Sequence, residues 1–186
     1  LLDVGMANEA LQQFSQLPQD ESVLRDIISI QTALQDFGAA ERALQELIAA
    51  RPGDVELKKE LGTLLIWQGD FENAVQVFRD LREAYPDDPN MVRGLGEVLT
   101  WSGQGERAIA IFGGLIDKGD DSDRAIKGFL DAFMAIENPG ASDIYRVQWI
   151  YKRHTHMRKL PSDVAGALAS AMVRSGDADV GIDLLK

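Results

Sequence analysis

Residues 61–71 read LGTLLIWQGDF, and residues 95–105, which lie 34 positions further along the chain, read LGEVLTWSGQG. The two stretches share a leucine–glycine pair, a tryptophan and a glycine at the same spacing. The downstream residues keep the interval, since Ala74, Phe78 and Leu81 recur as Ala108, Phe112 and Leu115. Self-similarity at a fixed interval of about 20–50 residues is typical of an array of repeated structural units.

The 34-residue interval divides the chain into consecutive repeats. Complete repeats cover residues 21–54, 55–88 and 89–122, a degenerate and longer one covers 123–161, and a partial one covers 162–186. Residues 1–20 resemble the second half of a repeat, and the first residue is not methionine. We therefore expect a single array over residues 1–186 that is a fragment of a longer protein.

Each repeat carries the pattern of two helices. In residues 55–67 the apolar residues Leu57, Leu61, Leu64 and Leu65 recur every three to four positions, as on one face of an amphipathic helix. Glycine turns then interrupt the pattern, and prolines follow the second helices. The second helices share a column of small residues that is predicted to admit a close neighbour: Ala40, Ala74, Ala108 and Gly181. Because one helix pair leaves an apolar face uncovered, the pairs must stack, and the predicted fold class is an all-α solenoid.

These residues resemble the tetratricopeptide repeat (TPR). Residues 55–88 match its pattern in Leu61, Gly62, Leu65, Gly69, Phe71, Ala74, Phe78 and Pro86. The pattern is broken at Lys58, where the family has tryptophan, and at Ile28 and Gln35, which replace the two glycines in residues 21–54. The resemblance implies a right-handed superhelix of antiparallel helix pairs. It also implies a non-enzymatic scaffold that binds a partner segment in a concave groove lined by the first helices.

Two columns of first-helix residues are the predicted partner contacts. The first column is basic and contains Arg25, Lys59, Arg93 and Lys127. The next contains Ser29, Thr63, Glu97 and Asp131, with Thr100 one turn further on. A ladder of cations predicts a partner with an acidic segment. The alternative is that the cations pair with carboxylates of the same face, namely Asp26, Glu60, Glu97 or Asp131. The lysine–asparagine clamp that some family members use is not predicted, because its asparagines are absent.

Trp67 and Trp101 stand at matching places near the ends of their first helices. The favoured interpretation is that both rings cap the packing between helix pairs. The alternative is that they are exposed aromatic anchors for a partner.

Residues 141–160 hold five basic residues and one acidic residue, interleaved with aromatic ones. They predict a long amphipathic second helix that buries Ile144, Val147, Trp149, Ile150 and Tyr151 in part. The favoured interpretation leaves the charges of this helix solvated. The alternatives are a secondary contact of Arg146, Lys152 and Arg153 with an acidic protein and, less favoured, binding of nucleic acid or another anionic surface.

The composition argues against several classes of function. A net charge of −11, from 30 acidic and 19 basic residues, argues against nucleic-acid binding. The chain has no cysteine, and no apolar run reaches the roughly 18 residues that a membrane-inserted helix needs. His154 and His156 are two positions apart, so they cannot bind a metal from one helix face. We therefore predict no enzyme activity, no cofactor and no metal site, and we interpret the cluster Asp117, Asp120, Asp121 and Asp123 as a solvated turn.

The third repeat is rich in glycine: Gly94, Gly96, Gly103, Gly105, Gly113 and Gly114. A glycine inside a helix costs about 0.5–1 kcal/mol relative to alanine. The third repeat is therefore predicted to be the least stable part of the array, which we call its softness.

The turns at residues 67–69 and 101–103, each Trp-x-Gly, resemble those of bacterial exopolysaccharide secretion proteins. That resemblance implies a periplasmic array that recruits partner proteins within an export assembly. No signal peptide is visible, and this does not determine the compartment. Because of the resemblance to secretion proteins, the periplasm is favoured over the cytoplasm. The competing function is self-association through the ends of the array or the fourth-repeat helix.

Overall fold

The computed structural model describes residues 4–154 and 160–184. The regular structure of these residues is helical throughout, which confirms the all-α prediction. Their helices are α1 (Val4–Phe14), α2 (Glu21–Ala33), α3 (Phe37–Ala50), α4 (Val55–Gln68), α5 (Phe71–Ala84), α6 (Pro89–Trp101), α7 (Gly105–Asp117), α8 (Asp123–Ala135), α9 (Ala141–His154), α10 (Ser162–Arg174) and α11 (Ala178–Asp183). The first helices α2, α4, α6 and α8 begin 34 residues apart, and α10 begins 39 residues after α8.

The chain divides after Leu81 into two compact bodies, an N-terminal body (residues 1–81) and a C-terminal body (residues 82–186). In the N-terminal body, α2 packs against α1 and α3, and α3 packs against α4. In the C-terminal body, α7 packs against α6 and α8, and α10 packs against α8, α9 and α11. Each body therefore consists of stacked helix pairs, as the repeat pattern predicts.

Polar side chains begin the helices at repeated positions. The carboxylates of Asp20, Asp36, Asp54 and Asp88 each accept a hydrogen bond from a backbone N–H two or three residues further on. Such N-caps satisfy donors that the first helical turn leaves without a partner. Part of the acidic excess of the chain therefore stabilises helix starts.

The turns between paired helices have the same backbone geometry in different repeats. Gly69 and Gly103 have φ values of 84° and 74°, in the left-handed region that favours glycine. Gln35, which replaces the turn glycine in residues 21–54, adopts the same conformation with a φ of 61°. In all three turns the next residue donates a backbone hydrogen bond back across the helix end, to Gln31, Leu65 and Leu99. The turn is thus retained without glycine.

Small residues set the closest helix contacts. Ala40, Ala74 and Ala108 are completely buried, and Gly181 is buried as well, which confirms the predicted column. Glycines of the first helices receive rings of the second helices: a Cβ on Gly62 would lie 2.6 Å from Phe78, and one on Gly96 would lie 2.8 Å from Phe112. Gly96 therefore has a packing role in the third repeat. The softness of that repeat stays a prediction.

Candidate partner-binding grooves

Two grooves lie on the faces of the first helices, one in each body. The α2–α4 groove, in the N-terminal body, is a cavity of about 520 Å³ with Ile28, Leu44 and Leu64 among its apolar walls. The α6–α8 groove, in the C-terminal body, is a cavity of about 170 Å³ that reaches the ring of Phe112. Equivalent positions of the repeat line both grooves: Ser29 and Glu97, Thr32 and Thr100, and Thr63 and Asp131.

The structure places most of the predicted contact residues in these grooves. Arg25, Ser29 and Thr63 line the α2–α4 groove, and Glu97, Thr100, Lys127 and Asp131 line the α6–α8 groove. Arg93 instead lines a different cavity of the C-terminal body, next to the turn that follows α7. Arg93 and Lys127, the two basic-column residues of the C-terminal body, therefore do not line one cavity, because Arg93 turns toward Asp120.

Each cation of the basic column has a carboxylate partner within its own body. Arg25 lies 3.4 Å from Glu60, and Lys127 lies 2.6 Å from Asp131, as the pairing alternative predicts. The other two cations pair elsewhere, Lys59 with Glu56 and Arg93 with Asp120. Glu97 accepts two hydrogen bonds from the guanidinium of Arg124. The charges that line the two grooves are therefore largely balanced, and partner binding by the four cations stays a prediction.

Trp67 and Trp101 are 58% and 57% exposed, so the favoured interpretation of both rings as core is wrong. Both rings lie in the last turn of their helices, where they line the α2–α4 and α6–α8 grooves. The ring of Trp67 touches its own body through Phe37, with the ring centroids 6.4 Å apart. A sequence signal for this exposure exists, because Ala33 and Ala135 stand in the same column of the repeat. Packing at that position therefore does not require a large ring.

Two arginines of α9, Arg146 and Arg153, pair with the acidic turn between α7 and α8. The guanidinium of Arg146 donates to the carbonyl of Gly113 at 3.0 Å and to the carboxylate of Asp117 at 3.1 Å. Arg153 donates to Asp121 at 2.7 Å and lies over the ring of Trp149. Two features that are separate in the sequence thus neutralise each other in the fold, and the acidic turn is not simply solvated.

The secondary contact predicted on α9 stays a prediction. Arg146 and Arg153 are engaged within the C-terminal body, while Lys152 is exposed. Val147 and Ile150 are completely buried, as predicted, whereas Ile144, Trp149 and Tyr151 are half-buried. Any extension of the helix beyond His154, and with it His156, lies outside the described residues.

Two carboxylates of the acidic turn have lowered pKa values. The hydrogen bond from the Arg146 guanidinium lowers the pKa of Asp117. Burial by itself raises the pKa of Asp120, but the hydrogen bonds from Ser122 and the charge of Arg93 lower it more, so the net shift is downward. The ionised form of each group therefore stabilises the fold, and this contribution is present above the unfolded-state pKa of about 3.9.

We expect this contribution to disappear as the pH falls through the folded-state pKa values, below about pH 4. Urea unfolding from pH 7 to pH 3 measures it. Asp120→Asn should be less stable than wild type at neutral pH, and the difference should shrink as the solution is acidified. Glu46→Gln is the matched control, because Glu46 is exposed on α3 and makes no ion pair with the described residues. A difference between Asp120→Asn and wild type that is constant down to pH 3 would contradict the assignment.

Neither a metal site nor a membrane span is found in the described part of the chain. In residues 4–154 and 160–184, no group of three or more histidine, aspartate or glutamate side chains is placed to hold a metal ion. None of the helices described above is both long enough and apolar enough to cross a bilayer.

Comparison with known proteins identifies the family. The family profile described as "Tetratricopeptide repeat" matches residues 31–93 and 65–131, which together cover more than half of the chain. No curated protein sequence matches the chain.

Solved structures share the fold, and three of them serve as examples. MamA, from residue 41 to its end, from Desulfovibrio magneticus RS-1 is 19% identical, with a TM-score of 0.64 over 90% of this chain and 93% of that one. A tetratricopeptide repeat protein from Parabacteroides merdae ATCC 43184 is 16% identical, with a TM-score of 0.64 over 97% of this chain and 70% of that one. Yeast Tom70 is 14% identical, with a TM-score of 0.63 over 99% of this chain and 39% of that one. Likeness at these identities concerns the fold, and together with the profile match it leads to one conclusion: the chain belongs to the tetratricopeptide repeat family.

Proposed function

We propose that this chain is a non-catalytic scaffold that binds a segment of a partner protein in its first-helix grooves, with Trp67 and Trp101 as anchors. Membership of the repeat family supports the general role, since proteins of this fold are generally interaction scaffolds. The observation that carries the specific proposal is the exposure of both tryptophan rings at the grooves. Tryptophan supplies a large contact area and is enriched among the residues that dominate interface energetics.

The charges of the grooves favour an apolar anchor on the partner. An acidic segment would have to compete with Glu60 for Arg25 and with Asp131 for Lys127. An apolar side chain instead finds the exposed tryptophan and the apolar walls without breaking an ion pair. The ion pairs at the rim then contribute specificity more than affinity. Binding of an acidic segment in these grooves stays a prediction.

Removal of either ring tests the proposal. We expect Trp67→Ala and Trp101→Ala each to weaken binding of a purified partner by at least about tenfold, which corresponds to about 1.4 kcal/mol. Because both rings are more than half exposed, the melting temperatures should stay close to that of wild type. The partner is first captured from a lysate of the source organism on the immobilised wild-type chain. Its affinity for each variant is then measured by calorimetry.

Two further variants serve as controls. Tyr85→Ala removes an exposed aromatic ring that lies outside both grooves, and it should leave the affinity unchanged. Lys127→Met removes a groove cation, so a larger loss in this variant than in Trp101→Ala would show that charge, not the ring, anchors the partner. Wild-type affinity in both tryptophan variants would refute groove binding.

Self-association is the second candidate function. Val173 and Ile182, on the last two helices described, are about half exposed. Light scattering over a range of protein concentrations measures self-association. If the surface with Val173 and Ile182 mediates it, Val173→Glu should make the average molar mass depend less on concentration. The exopolysaccharide export setting and the periplasmic location stay predictions.

A further inference from the structure

The C-terminal body contains a larger cavity of about 580 Å³, formed by the end of α5, the start of α6 and the second half of α7. We call it the α5–α7 cavity. In the described part of the chain it shares no lining residue with the α6–α8 groove. It is therefore a separate surface from the one that the proposed function uses.

Three basic and two acidic side chains line the α5–α7 cavity. Arg82, Arg93 and Lys118 line it together with Asp87 and Asp120. Arg93 and Asp120 form an ion pair whose side chains are 12% and 17% exposed, so this pair is part of the wall and carries no net charge. Arg82 and Lys118 are exposed and make neither an ion pair nor a side-chain hydrogen bond with the described residues.

Among the described residues, Arg82 and Lys118 differ from the basic column in having no ion-pair partner. Acidic residues outnumber basic ones by 30 to 19, and every cation of the basic column has found a carboxylate. Asp87 also lines the cavity and makes no ion pair within the described residues, so the groups without partners carry a surplus of one positive charge. The cavity thus presents cations that a second protein could neutralise.

The walls of the α5–α7 cavity also contain apolar side chains, and the cavity has free space beside one of its glycines. Pro86, Pro89, Val92 and Ile111 line the cavity beside the cations. Gly114 also lines it, and a Cβ on this residue would meet no described atom within 4 Å. A volume of about 580 Å³ with charged and apolar walls suits a short stretch of peptide.

We propose that the α5–α7 cavity binds an acidic segment of a partner protein, with Arg82 and Lys118 contacting its carboxylates and the prolines and Ile111 packing against its apolar groups. Charge complementarity selects this occupant. A basic segment would bring its cations against Arg82 and Lys118, and a neutral segment would leave both cations partly desolvated and without partners.

A short fluorescein-labelled peptide of alternating glutamate and leucine is the probe, and fluorescence anisotropy gives its affinity. We expect the same peptide with glutamine in place of glutamate to bind at least about tenfold more weakly. Arg82→Gln combined with Lys118→Gln should weaken the glutamate peptide to a similar extent. Asp87→Asn should strengthen it a few-fold, because a competing carboxylate is removed, and added salt should weaken it.

Gly114 provides a matched pair of variants. Gly114→Glu places a carboxylate in the open space of the cavity and should weaken the glutamate peptide at least about tenfold, while Gly114→Ala should not. Trp101→Ala should bind the peptide like wild type, which separates this site from groove binding. Equal affinity for the glutamate and glutamine peptides, or wild-type affinity in the Arg82 and Lys118 double variant, would overturn the proposal. Full displacement of the peptide by an equimolar amount of inorganic phosphate would also overturn it, because the cavity would then recognise any small anion.

Discussion

Gly128→Ala is expected to lower the free energy of unfolding by about 1–3 kcal/mol, although alanine is the better helix former. Gly128 lies on α8 and faces the ring of Phe112, which is completely buried. A Cβ on Gly128 would overlap this ring, and Gly96 on α6 confines the ring from the opposite helix. The ring is therefore held between α6 and α8, and a methyl group on Gly128 requires the ring or the helix to shift. Urea unfolding followed by circular dichroism measures the change.

The matched control is Gly114→Ala, on the same helix as Phe112. Its Cβ meets no described atom within 4 Å, so the substitution should stabilise the protein by about 0.5–1 kcal/mol. The double variant Phe112→Leu with Gly128→Ala should lose less free energy of unfolding than the two single variants lose together, because the smaller side chain makes room for the methyl group. A neutral or stabilising effect of Gly128→Ala by itself would show that the contact between α7 and α8 adapts.

Arg174→Met is expected to lower the free energy of unfolding by about 1.5–3 kcal/mol. The guanidinium of Arg174, on α10, donates hydrogen bonds to the carbonyls of Phe133 at 2.8 Å, Met134 at 2.6 Å and Glu137 at 3.0 Å, and also to Ile136. These carbonyls belong to the end of α8 and the residues after it, where the helix leaves acceptors without backbone partners. The guanidinium also lies 5.5 Å from the centre of the Phe133 ring. Methionine keeps the apolar stem but removes every donor.

Arg174→Lys should lose less stability than Arg174→Met, because the ammonium group of lysine still donates to some of the carbonyls, although it lacks the planar fork of donors. Arg107→Met is the control, since Arg107 is exposed and its side chain bonds within the described residues to Gln104. Its effect should stay within about 0.5 kcal/mol. If Arg174→Met behaved like this control in thermal and urea unfolding, the cap on α8 would contribute nothing to stability.

Local spacing was enough to predict the helices. The apolar stripe of α4, the glycine at position 69 and the proline at position 86 all act within one repeat, over distances that one helix or one turn spans. Gln35 also adopts the left-handed conformation, because it occupies the turn position of its repeat, although glutamine does not favour this conformation. Buried small residues such as Ala74 were predictable for the same reason.

The candidate sites were less predictable, because their contacts join residues far apart in the chain. Arg93 reaches Asp120, 27 positions away, so it leaves the basic column to which its position assigns it. Arg82 and Lys118, which have no ion-pair partner among the described residues, belong to no basic column of the repeat, and no sequence signal pointed to the cavity that they share. The exposure of the tryptophans differs from the core role that their matching places near the helix ends predict, although the alanines in their column indicate that packing there does not need a large ring.

The amino-acid sequence by itself therefore determined the repeat, the helix pairs and their turns, because periodic apolar residues, caps and glycine turns act locally. The tertiary structure decided which charges are neutralised and which remain available. Long arginine and lysine side chains can reach carboxylates on several neighbouring helices, and the choice among them depends on how those helices stack. For this reason Arg146 and Arg153 of α9 pair with the acidic turn, while the α5–α7 cavity keeps two cations without ion-pair partners among the described residues.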